Sequence, residues 1–496
     1  MTVRSSNPVL VVGPILLFRG EQAGRWRVSA LFVLAGEAEP FDLEVEGIGL
    51  PVPPRHLTTS HNFHIWRFDF AVPLADKGQR LAYRFVDQGD GPDGSQWGFS
   101  VPGRTERPRL AYVSGGGADD EDRLGFVEPG NRLERWRNLA ETLPERPAHI
   151  LLLGGGQVEV DGVWQASPTL AAWATHTPDL RQTMPFTRVM ADQTMDYYFK
   201  LYCRTFSQPE IAAVLAEIPA VMMWDDRDIF SGWGSLEATD QSCQVVRGLQ
   251  AVAKRHFSMF QLGTMLREPA ESVWGARQGT FSQGLRYEDL GILALDLRSD
   301  RNPTRVLSEA TWAELPVWLR RFAGCRNLLV MSGAPLIFPE PGGVDRILSR
   351  CGIGSLLNSN PDDRWSSPGH VEEAERLLRV ISDFGLTNRC RITFLSGKEG
   401  LGAAGTVRDR KGIWQMVAGE MVQPPPSGWR TRVLEWLSGA SETLPNGLTV
   451  DLRSFAETGH RLLRSRSWLE LEFDHRSRVQ ARWHTDRSPT SVRVAT

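Results

Sequence analysis

Residues 220–235 of this 496-residue chain read AVMMWDDRDIFSGWGS, an apolar run followed at once by two aspartates. The run over residues 220–224 has no charged side chain, which is typical of a strand buried on both faces between helices. In open α/β sheets, ligands bind at the carboxyl ends of such strands. Asp225 and Asp226 therefore stand where chemistry is expected, and their carboxylates are suited to bind a hard metal ion.

Similar apolar runs alternate with helical segments between about residues 108 and 425, at positions 150–153, 292–295, 328–331 and 392–395. This alternation predicts an α/β domain built from layers of sheet and helix. The residues that follow these runs are Gly154-Gly155-Gly156, Asp296 with Arg298, Ser332-Gly333 and Ser396-Gly397-Lys398. Apart from Asp225 and Asp226, the strand ends offer no converging carboxylates or imidazoles, which argues against a complete metal site.

The first 107 residues follow a different pattern, in which apolar side chains occupy every second position between turns. The alternating sets are Trp26, Val28, Ala30, Phe32 and Leu34, then Trp66, Phe68 and Phe70, then Leu81, Tyr83 and Phe85. A period of two predicts strands with one buried face, and hence a small N-terminal antiparallel β-sandwich over residues 1–107. Residues 108–496 are predicted to form the main domain, with a C-terminal hairpin at about 461–496.

The composition is that of an ordinary globular protein, with 41% hydrophobic and 23% charged residues. A net charge of -3 and dispersed basic residues give no reason to expect a nucleic-acid partner. No run approaches the roughly 18 apolar residues that span a bilayer, and residues 1–13 do not read as a signal peptide. The five cysteines are scattered without a CxxC, as in reduced thiols. We therefore expect a cytoplasmic protein without membrane insertion.

Over nearly its whole length the chain resembles the PhoD-like alkaline phosphatase family, in its leaderless, intracellular branch. Residues 222–235, MMWDDRDIFSGWGS, are similar to the family signature MMWDDHDIFDGWGS. Residues 12–27, 295–299, 331–335 and 424–426 also fit that family's pattern. The resemblance implies a metallophosphoesterase-like layered sheet-and-helix domain preceded by the sandwich. It also implies a phosphatase that uses iron and calcium or similar divalent metals.

The resemblance further implies which positions should bind metal or assist proton transfer, and several of them differ in this chain. The changed positions are Gly115, Gly156, Glu159, Arg227, Lys398 and Gly400. In the family they hold, in the same order, an iron-binding Cys, a bridging Asp, a Tyr ligand, a His, an Asp and a His. Only Asp225 and Asp226 keep the character of metal ligands. Because glycine supplies no donor atom, we expect no bound metal cofactor.

These departures lead to three hypotheses. The first, which we favour, is a catalytically impaired PhoD-like phosphatase, a pseudoenzyme that acts as a binding, regulatory or structural subunit for a protein partner. An active paralogue is one candidate partner. The second is a metal-dependent phosphomonoesterase or phosphodiesterase with a rebuilt site on Asp225, Asp226, Glu159 and Asp161. The third is a phosphate or nucleotide sensor.

Two arrangements are possible for the positively charged side chains that this chain has gained at the site. Arg227 and Lys398 either form a self-satisfied ion-pair cluster with Asp225, Asp226 and Glu159, or join Arg298 in binding a phosphate-containing ligand. We favour the ion-pair cluster. Asp296 and Arg298 either orient ligands or form a structural pair at the sheet edge. Ser114 has no histidine partner at any motif, and neither it nor His370, near Asp362 and Asp363, is expected to be catalytic.

Overall fold

A computed structural model describes residues 8–37, 39–86, 96–117, 132–275, 279–338, 348, 355–357, 360–397, 399–408, 412–443, 449–487 and 491–495. Its strands are β1 (Val9–Gln22), β2 (Arg25–Ala35), β3 (Leu43–Val45), β4 (Arg55–Ser60), β5 (Phe63–Pro73), β6 (Gln79–Phe85), β7 (Trp97–Val101), β8 (Leu110–Val113), β9 (Ile150–Leu153), β10 (Ala220–Met222), β11 (Val273–Trp274), β12 (Ser282–Tyr287), β13 (Leu290–Ala294), β14 (Asn327–Met331), β15 (Arg391–Ser396), β16 (Gly402–Val407), β17 (Ile413–Val417), β18 (Ser441–Thr443), β19 (Thr449–Arg453), β20 (Leu462–Leu463), β21 (Ser467–Phe473), β22 (Val479–Thr485) and β23 (Ser491–Ala495).

The helices are α1 (Glu134–Thr142), α2 (Val163–Ala166), α3 (Pro168–Ala174), α4 (Pro178–Thr183), α5 (Arg188–Phe206), α6 (Pro209–Glu217), α7 (Ala238–Ser242), α8 (Gln244–His256), α9 (Glu309–Leu319), α10 (Val371–Asn388) and α11 (Gly428–Leu437). Single 3₁₀ turns cover Asp226–Asp228, Arg320–Phe322 and Pro361–Asp363, and a π-helical turn over Phe257–Gln261 extends α8. Side-chain caps fix two of the helix starts: Thr187 accepts from the Met190 amide before α5, and Ser308 from the Thr311 amide before α9.

Two large sheets dominate the described part of the chain. The first has the order β23-β22-β21-β8-β9-β10-β1-β2-β5-β4, and β8, β9, β10 and β1 are parallel. The second has the order β11-β12-β13-β14-β15-β17-β16-β19-β18, with β20 beside β16, and β13, β14, β15 and β17 are parallel. Strands β3, β6 and β7 form a third, smaller sheet. The predicted apolar runs thus belong to parallel strands.

The two large sheets pack face to face, with helices on their outer sides. Leu152 of β9 and Leu329 of β14 share one buried core between the sheets. Their neighbours Leu151 and Leu328 point the other way, into two outer cores that contain residues of α1, α5, α6 and α8 in one case and of α9 and α10 in the other. Because both faces of these strands are covered, they are apolar throughout. The predicted α/β class with layered sheets and helices is confirmed.

The N-terminal β-rich region is present, but its sheet is continuous with that of the main domain. Strand β1 pairs in parallel with β10, at Leu17 and Ala220, so one sheet crosses the predicted boundary between residues 107 and 108. Strands β3, β6 and β7 cover this sheet, and the rings of Phe32 and Phe85 lie 4.9 Å apart. The prediction that only one face is buried is wrong for β2. Leu31, which points to the opposite face, is buried in the core between the first sheet and its helices. The division into domains remains a prediction.

Near the C-terminal end, β21 and β22 form an antiparallel pair, and β23 pairs in turn with β22. In β21 and β22, Leu469 lies opposite Trp483, and Leu471 lies opposite Ala481. Strand β21 also pairs antiparallel with β8, which places the hairpin at the edge of the parallel strands of the first sheet. Within the described ranges, no helix combines the length and the apolar character needed to cross a bilayer. The cytoplasmic location remains a prediction.

Candidate functional site

The carboxyl ends of both sets of parallel strands meet at one place. On the first sheet, the amide of Gly115, after β8, donates to the carbonyl of Gly155, after β9, at 3.0 Å. The second sheet reaches the same loop, since the amide of Met421, beyond β17, donates to the carbonyl of Ser114 at 2.9 Å. Side chains that follow strands far apart in sequence are therefore neighbours here, as the sheet topology predicts.

Asp225, at the end of β10, is held by a buried arginine from the second sheet. The Nε atom of Arg298 donates to Oδ1 of Asp225 at 2.8 Å, and Nη2 of Arg298 lies 3.9 Å from Oδ1 of Asp226. The same guanidinium makes a bidentate pair with Asp363, with Nη2 to Oδ2 at 3.0 Å. All four side chains are at least 96% buried. One guanidinium is thus shared by three carboxylates, two from the end of β10 and one from the turn at residues 361–363.

A second buried arginine and a histidine support Asp363. Nη2 of Arg301 donates both to the Asp363 carbonyl at 2.9 Å and to Nδ1 of His370 at 3.0 Å. Since Nδ1 of His370 accepts, its Nε2 carries the proton and donates to the Asn302 carbonyl at 2.8 Å. Burial and the adjacent Arg301 lower the pKa of His370. His370 is therefore neutral, and its role is to orient Arg301.

Arg227 lies at the centre of a second ion-pair cluster. Its Nη1 donates to Oε1 of Glu159 at 2.8 Å, and its Nη2 donates to Oε1 of Glu420 at 3.0 Å. Glu159 comes from the loop after β9 and Glu420 from the loop after β17, so this cluster also joins the two sheets. The predicted pairing of Arg227 with Glu159 is present, whereas Asp225 pairs with Arg298 instead.

One cation faces two carboxylates in this Arg227 cluster, and the protonation state reflects that imbalance. Burial raises the pKa of Glu159 to about 8, with Glu420, Asp161 and Asp226 acting in the same direction and Arg227 opposing them. The pKa of Arg227 is raised well above its ordinary value, because its carboxylate neighbours outweigh the effect of burial. Glu159 therefore takes up a proton more readily in this cluster than an exposed glutamate does.

Two glycines make room for these clusters. Gly115 has a φ of +58°, and a Cβ added there would lie 2.9 Å from Cγ of Glu420. Gly156 has a φ of +68°, and a Cβ added there would lie 3.2 Å from Cδ of Arg227 and 3.1 Å from Cα of Gly115. The space next to each glycine is thus occupied by a side chain of the Arg227 cluster, and both backbone conformations favour glycine.

Asp226 and Asp228 serve the turn that follows β10. Oδ2 of Asp226 accepts from the Gly232 amide at 3.0 Å. The carboxylate of Asp228 accepts from the Asp225 amide at 2.9 Å, as part of a capping box. Asp228 also contacts Tyr202 and Gln261, and its burial raises its pKa to about 8. This turn is therefore organised by its own aspartates.

The remaining candidates from the sequence have local roles. Oδ1 of Asp161 accepts from the Ser231 amide at 2.8 Å, and Asp296 accepts from Ser299 and from the Phe281 amide. Asp296 binds only the backbone of Arg298, so the two do not form a side-chain pair. Gly400 is buried with a φ of +71°. Lys398 lies outside the described residues, and its predicted pairing stays untested.

Comparisons with known proteins agree with the fold described above. Residues 129–355 match the model of the PhoD-related phosphatase family. This part of the chain is thus similar to PhoD-related phosphatases. Among solved structures, that of PhoD superposes with a TM-score of 0.58 at 13% identity, covering 100% of this chain and 90% of PhoD. A purple acid phosphatase from yellow lupin (Lupinus luteus) seeds gives 0.55 at 12% identity, covering 99% and 74%. At such identities the likeness shows the fold.

A curated protein from yeast is similar to this chain. The uncharacterised protein YGR266W of Saccharomyces cerevisiae is 23% identical over 408 residues, which cover 70% of this chain and 57% of the yeast protein. The chain thus spans little more than half of the length of that relative.

The residues at this site do not fit the metals that the PhoD resemblance implies. Among the residues that the structure describes, no three His, Cys, Asp or Glu side chains are grouped so as to hold a metal ion. Gly115 and Gly156 provide no donor, and Glu420 and Arg227 fill the space where longer side chains would point. The carboxylate of Asp225 is already bound by Arg298. The positive charge beside Asp225 is therefore the guanidinium of Arg298.

The sequence analysis missed Glu420 and Arg301, and it named Asp363 without its role. Glu420 follows β17, whose residues 413–417 read IWQMV, and the polar Gln415 interrupts the apolar run that would have marked the strand. Asp363 lies in a loop, and only its closeness to His370 along the chain drew attention to it. Extending the search for strand ends to runs with one polar residue would have found Glu420. No sequence signal singles out Asp363 as the partner of Arg298.

Proposed function

We propose that this PhoD-related protein is a pseudoenzyme that has lost phosphatase catalysis and acts as a binding, regulatory or structural subunit. The observation that carries this proposal is the 2.8 Å ion pair between Arg298 and Asp225. In a metal-dependent phosphatase the carboxylate at a strand end binds a divalent cation. Here the guanidinium takes that place, and it remains charged at any pH compatible with folding.

A divalent metal would have to displace Arg298 before it could bind Asp225. Displacement would leave the buried guanidinium with fewer partners, and breaking a buried ion pair typically costs about 3–5 kcal/mol. A two-metal mechanism also needs a bridging ligand that sets the spacing of the metals, and Gly156 supplies none. Both arguments favour a site that is stable without metal and unable to generate a hydroxide nucleophile.

The alternative functions receive less support from the same contacts. A phosphate sensor would need unneutralised cations, but Arg227 is paired with two glutamates and Arg298 with two aspartates. A rebuilt metal site on Glu159 and Asp161 is also disfavoured, because each of these carboxylates already accepts a hydrogen bond from the protein.

The role as a subunit rests on analogy, since inactive relatives of enzymes often keep an interface that the active relative also uses. A protein partner, with an active paralogue as the first candidate, follows from this reasoning. Co-expression with a PhoD-related enzyme of the same organism tests it: we expect co-elution on size exclusion together with a change in the kcat or the stability of that enzyme. Separate elution with unaltered kcat and stability contradicts the choice of partner.

The loss of catalysis is tested by metal content and turnover on the same preparation. The full chain is purified without chelator and assayed for hydrolysis of an aryl phosphate with added manganese, iron and calcium. We expect much less than one metal ion per chain, no turnover, and an unfolding temperature that a chelator does not change. About one metal ion per chain, with turnover that Asp226→Ala abolishes and Asp192→Ala on the surface of α5 leaves intact, would overturn the proposal.

A further inference from the structure

A cleft on the first sheet has an unusual concentration of arginines. It has a volume of about 480 Å³ and is bordered by strands β1, β2, β4 and β5 and by the loop over residues 264–272. The charged side chains that line it are Arg19, Arg27, Arg55, Arg67, Asp69, Glu268 and Glu271. A cavity of this size accommodates a small ligand. It shares no residue with the candidate site and is not part of the proposed function.

The inner end of the cleft is built around the backbone turn at residues 262–264. Nη2 of Arg19 donates to the Leu262 carbonyl at 2.7 Å, and Nη1 of Arg67 donates to the Gly263 carbonyl at 2.9 Å. Two guanidinium groups from different strands therefore converge on consecutive peptide groups. A Cβ at Gly263 would lie 2.6 Å from Leu17, so the close approach depends on that glycine.

Polar groups at this inner end have unused hydrogen-bonding capacity. Thr264 is 2% exposed, and its Oγ1 has no hydrogen-bond partner among the described residues. Burying a hydroxyl without a partner is destabilising. Arg19 uses Nε for Ser29 and Nη2 for Leu262, which leaves Nη1 without a bond to any described residue. Arg19 of β1 and Thr264 of the loop can therefore each donate a hydrogen bond to a ligand in the cleft.

The charges at the inner end are also incompletely balanced. Burial lowers the pKa of Arg19 to about 10, with Arg67 and Arg27 acting in the same direction and only Asp69 opposing them. Asp69 itself is shared between Arg67 and the hydroxyl of Ser29. An anion in the cleft would relieve the repulsion among the guanidinium groups.

The outer arginines are paired in a way that a ligand can exchange. Arg27 contacts Glu271, and Arg55 contacts Glu268. The two glutamate side chains are 83% and 66% exposed, and exposed ion pairs of this kind contribute little to stability. Both arginines can therefore turn from a glutamate to a bound anion at small cost.

We propose that this cleft binds a small phosphate-bearing ligand, whose phosphoryl oxygens accept hydrogen bonds from Arg19, Arg67 and Thr264. The donors arrive from β1, β5 and the loop, and a tetrahedral phosphoryl group offers three oxygens in different directions, whereas a planar carboxylate offers two. Guanidinium groups pair with such oxygens by charge-assisted hydrogen bonds. Arg27 and Arg55 at the outer end contact the part of the ligand that faces solvent.

The test uses calorimetric titration of the full chain with phenyl phosphate, inorganic phosphate and citrate at constant ionic strength. We expect saturable binding of the two phosphates and weaker binding of citrate. Tighter binding of phenyl phosphate identifies an ester as the ligand, and equal binding identifies free phosphate. Absence of binding by both phosphates, or citrate binding as tightly as they do, overturns the proposal.

Two variants locate the binding. Thr264→Val removes the hydroxyl at nearly constant volume and is expected to weaken phosphate binding about tenfold, since hydrogen bonds to charged groups are stronger than those between neutral groups. The side chain of Arg27 is partly exposed, so Arg27→Gln does not endanger the fold. This substitution should weaken phosphate binding at least about threefold, because a positive charge is lost. Arg25→Gln, two residues away on β2 and outside the cleft, is the matched control. Affinities that respond equally to Arg25→Gln and Arg27→Gln contradict the proposed site.

Discussion

The Nε atom of Arg298 lies 2.8 Å from Oδ1 of Asp225, although 73 residues separate the two along the chain. The pair joins the loop after β13 of the second sheet to the end of β10 in the first. Under the proposed function, this contact between a carboxylate and a guanidinium stands in place of one between a carboxylate and a metal. The stability of this region then depends on a covalently attached cation rather than on a dissociable one.

Replacing this cation should be strongly destabilising. Arg298→Met removes the charge and keeps much of the volume, leaving Asp225, Asp226 and Asp363 buried without their guanidinium. We expect the free energy of unfolding to fall by about 3–5 kcal/mol, measured by urea denaturation. Arg326→Met is the control, because Arg326 pairs with Asp289 at the surface and its side chain is 66% exposed. A loss no larger than that of the control contradicts the central role of Arg298.

The space beside Gly115 gives a second prediction. Gly115→Ala introduces a Cβ that would lie 2.9 Å from Cγ of the buried Glu420. Gly232→Ala is the matched control, since its φ of +84° carries a similar backbone strain and no atom lies within 4 Å of the new Cβ. We expect Gly115→Ala to lower the thermal unfolding temperature more than Gly232→Ala does. Equal shifts would mean that Glu420 yields freely, and that the space beside Gly115 could accept a longer side chain.

The raised pKa of Glu159 makes stability depend on pH in the neutral range. Its pKa is about 8 in the folded chain, above the ordinary value near 4.5, so the folded state binds more protons between these values. The contribution of Glu159 to stability is full below about pH 4.5 and is lost as the pH rises towards 8.

Glu159→Gln should therefore flatten the fall in the free energy of unfolding between pH 5 and pH 8. Each pKa unit corresponds to about 1.4 kcal/mol, so the difference in slope is measurable by urea denaturation at a series of pH values. Asp228, with a pKa also raised to about 8, keeps part of the fall in the variant. An unchanged profile in Glu159→Gln would show that Glu159 is ionised beside Arg227.

For His256 we expect the opposite dependence of stability on pH, in a more acidic range. The side chain is buried against Tyr198 and Tyr202, and burial lowers its pKa to about 4 from 6.5. The unfolded state then binds more protons between pH 6.5 and 4, so the contribution of His256 to stability is lost as the pH falls through this range. His256→Phe keeps the aromatic packing and should reduce that loss. The exposed His475→Gln is the control, and equal slopes in the two variants would contradict the prediction.

The sequence predicted the parallel strands well, because strands covered on both faces must be apolar throughout. Strand β17 was not predicted, and the reason is physical. Its Gln415 is fully buried, where its amide donates to Oγ of Ser396 and its carbonyl oxygen accepts from the Leu336 amide. A buried polar side chain whose hydrogen bonds are satisfied by a neighbouring strand and loop cannot be distinguished in sequence from an exposed one.

The pairing within the candidate site was predicted only in part. Arg227 and Glu159 pair as expected, since both follow adjacent strands, β10 and β9. Asp225 was expected to face Arg227, yet it pairs with Arg298 from the opposite sheet. The choice between these two arginines depends on how the ends of two separate sheets approach each other. Periodicity and spacing describe each strand by itself and carry no information about that approach.

The pairing of β1 with β10 has a consequence for biosynthesis. Leu17 finds its partner Ala220 only after about two hundred further residues have been added, and β8 receives β21 from near residue 469. At ribosomal rates of roughly 5–20 residues per second, β1 waits about 10–40 seconds with one edge exposed. The first sheet is thus closed only when nearly 500 residues have emerged. Versions of the chain shortened from either side would leave an open strand edge in this sheet, which favours aggregation.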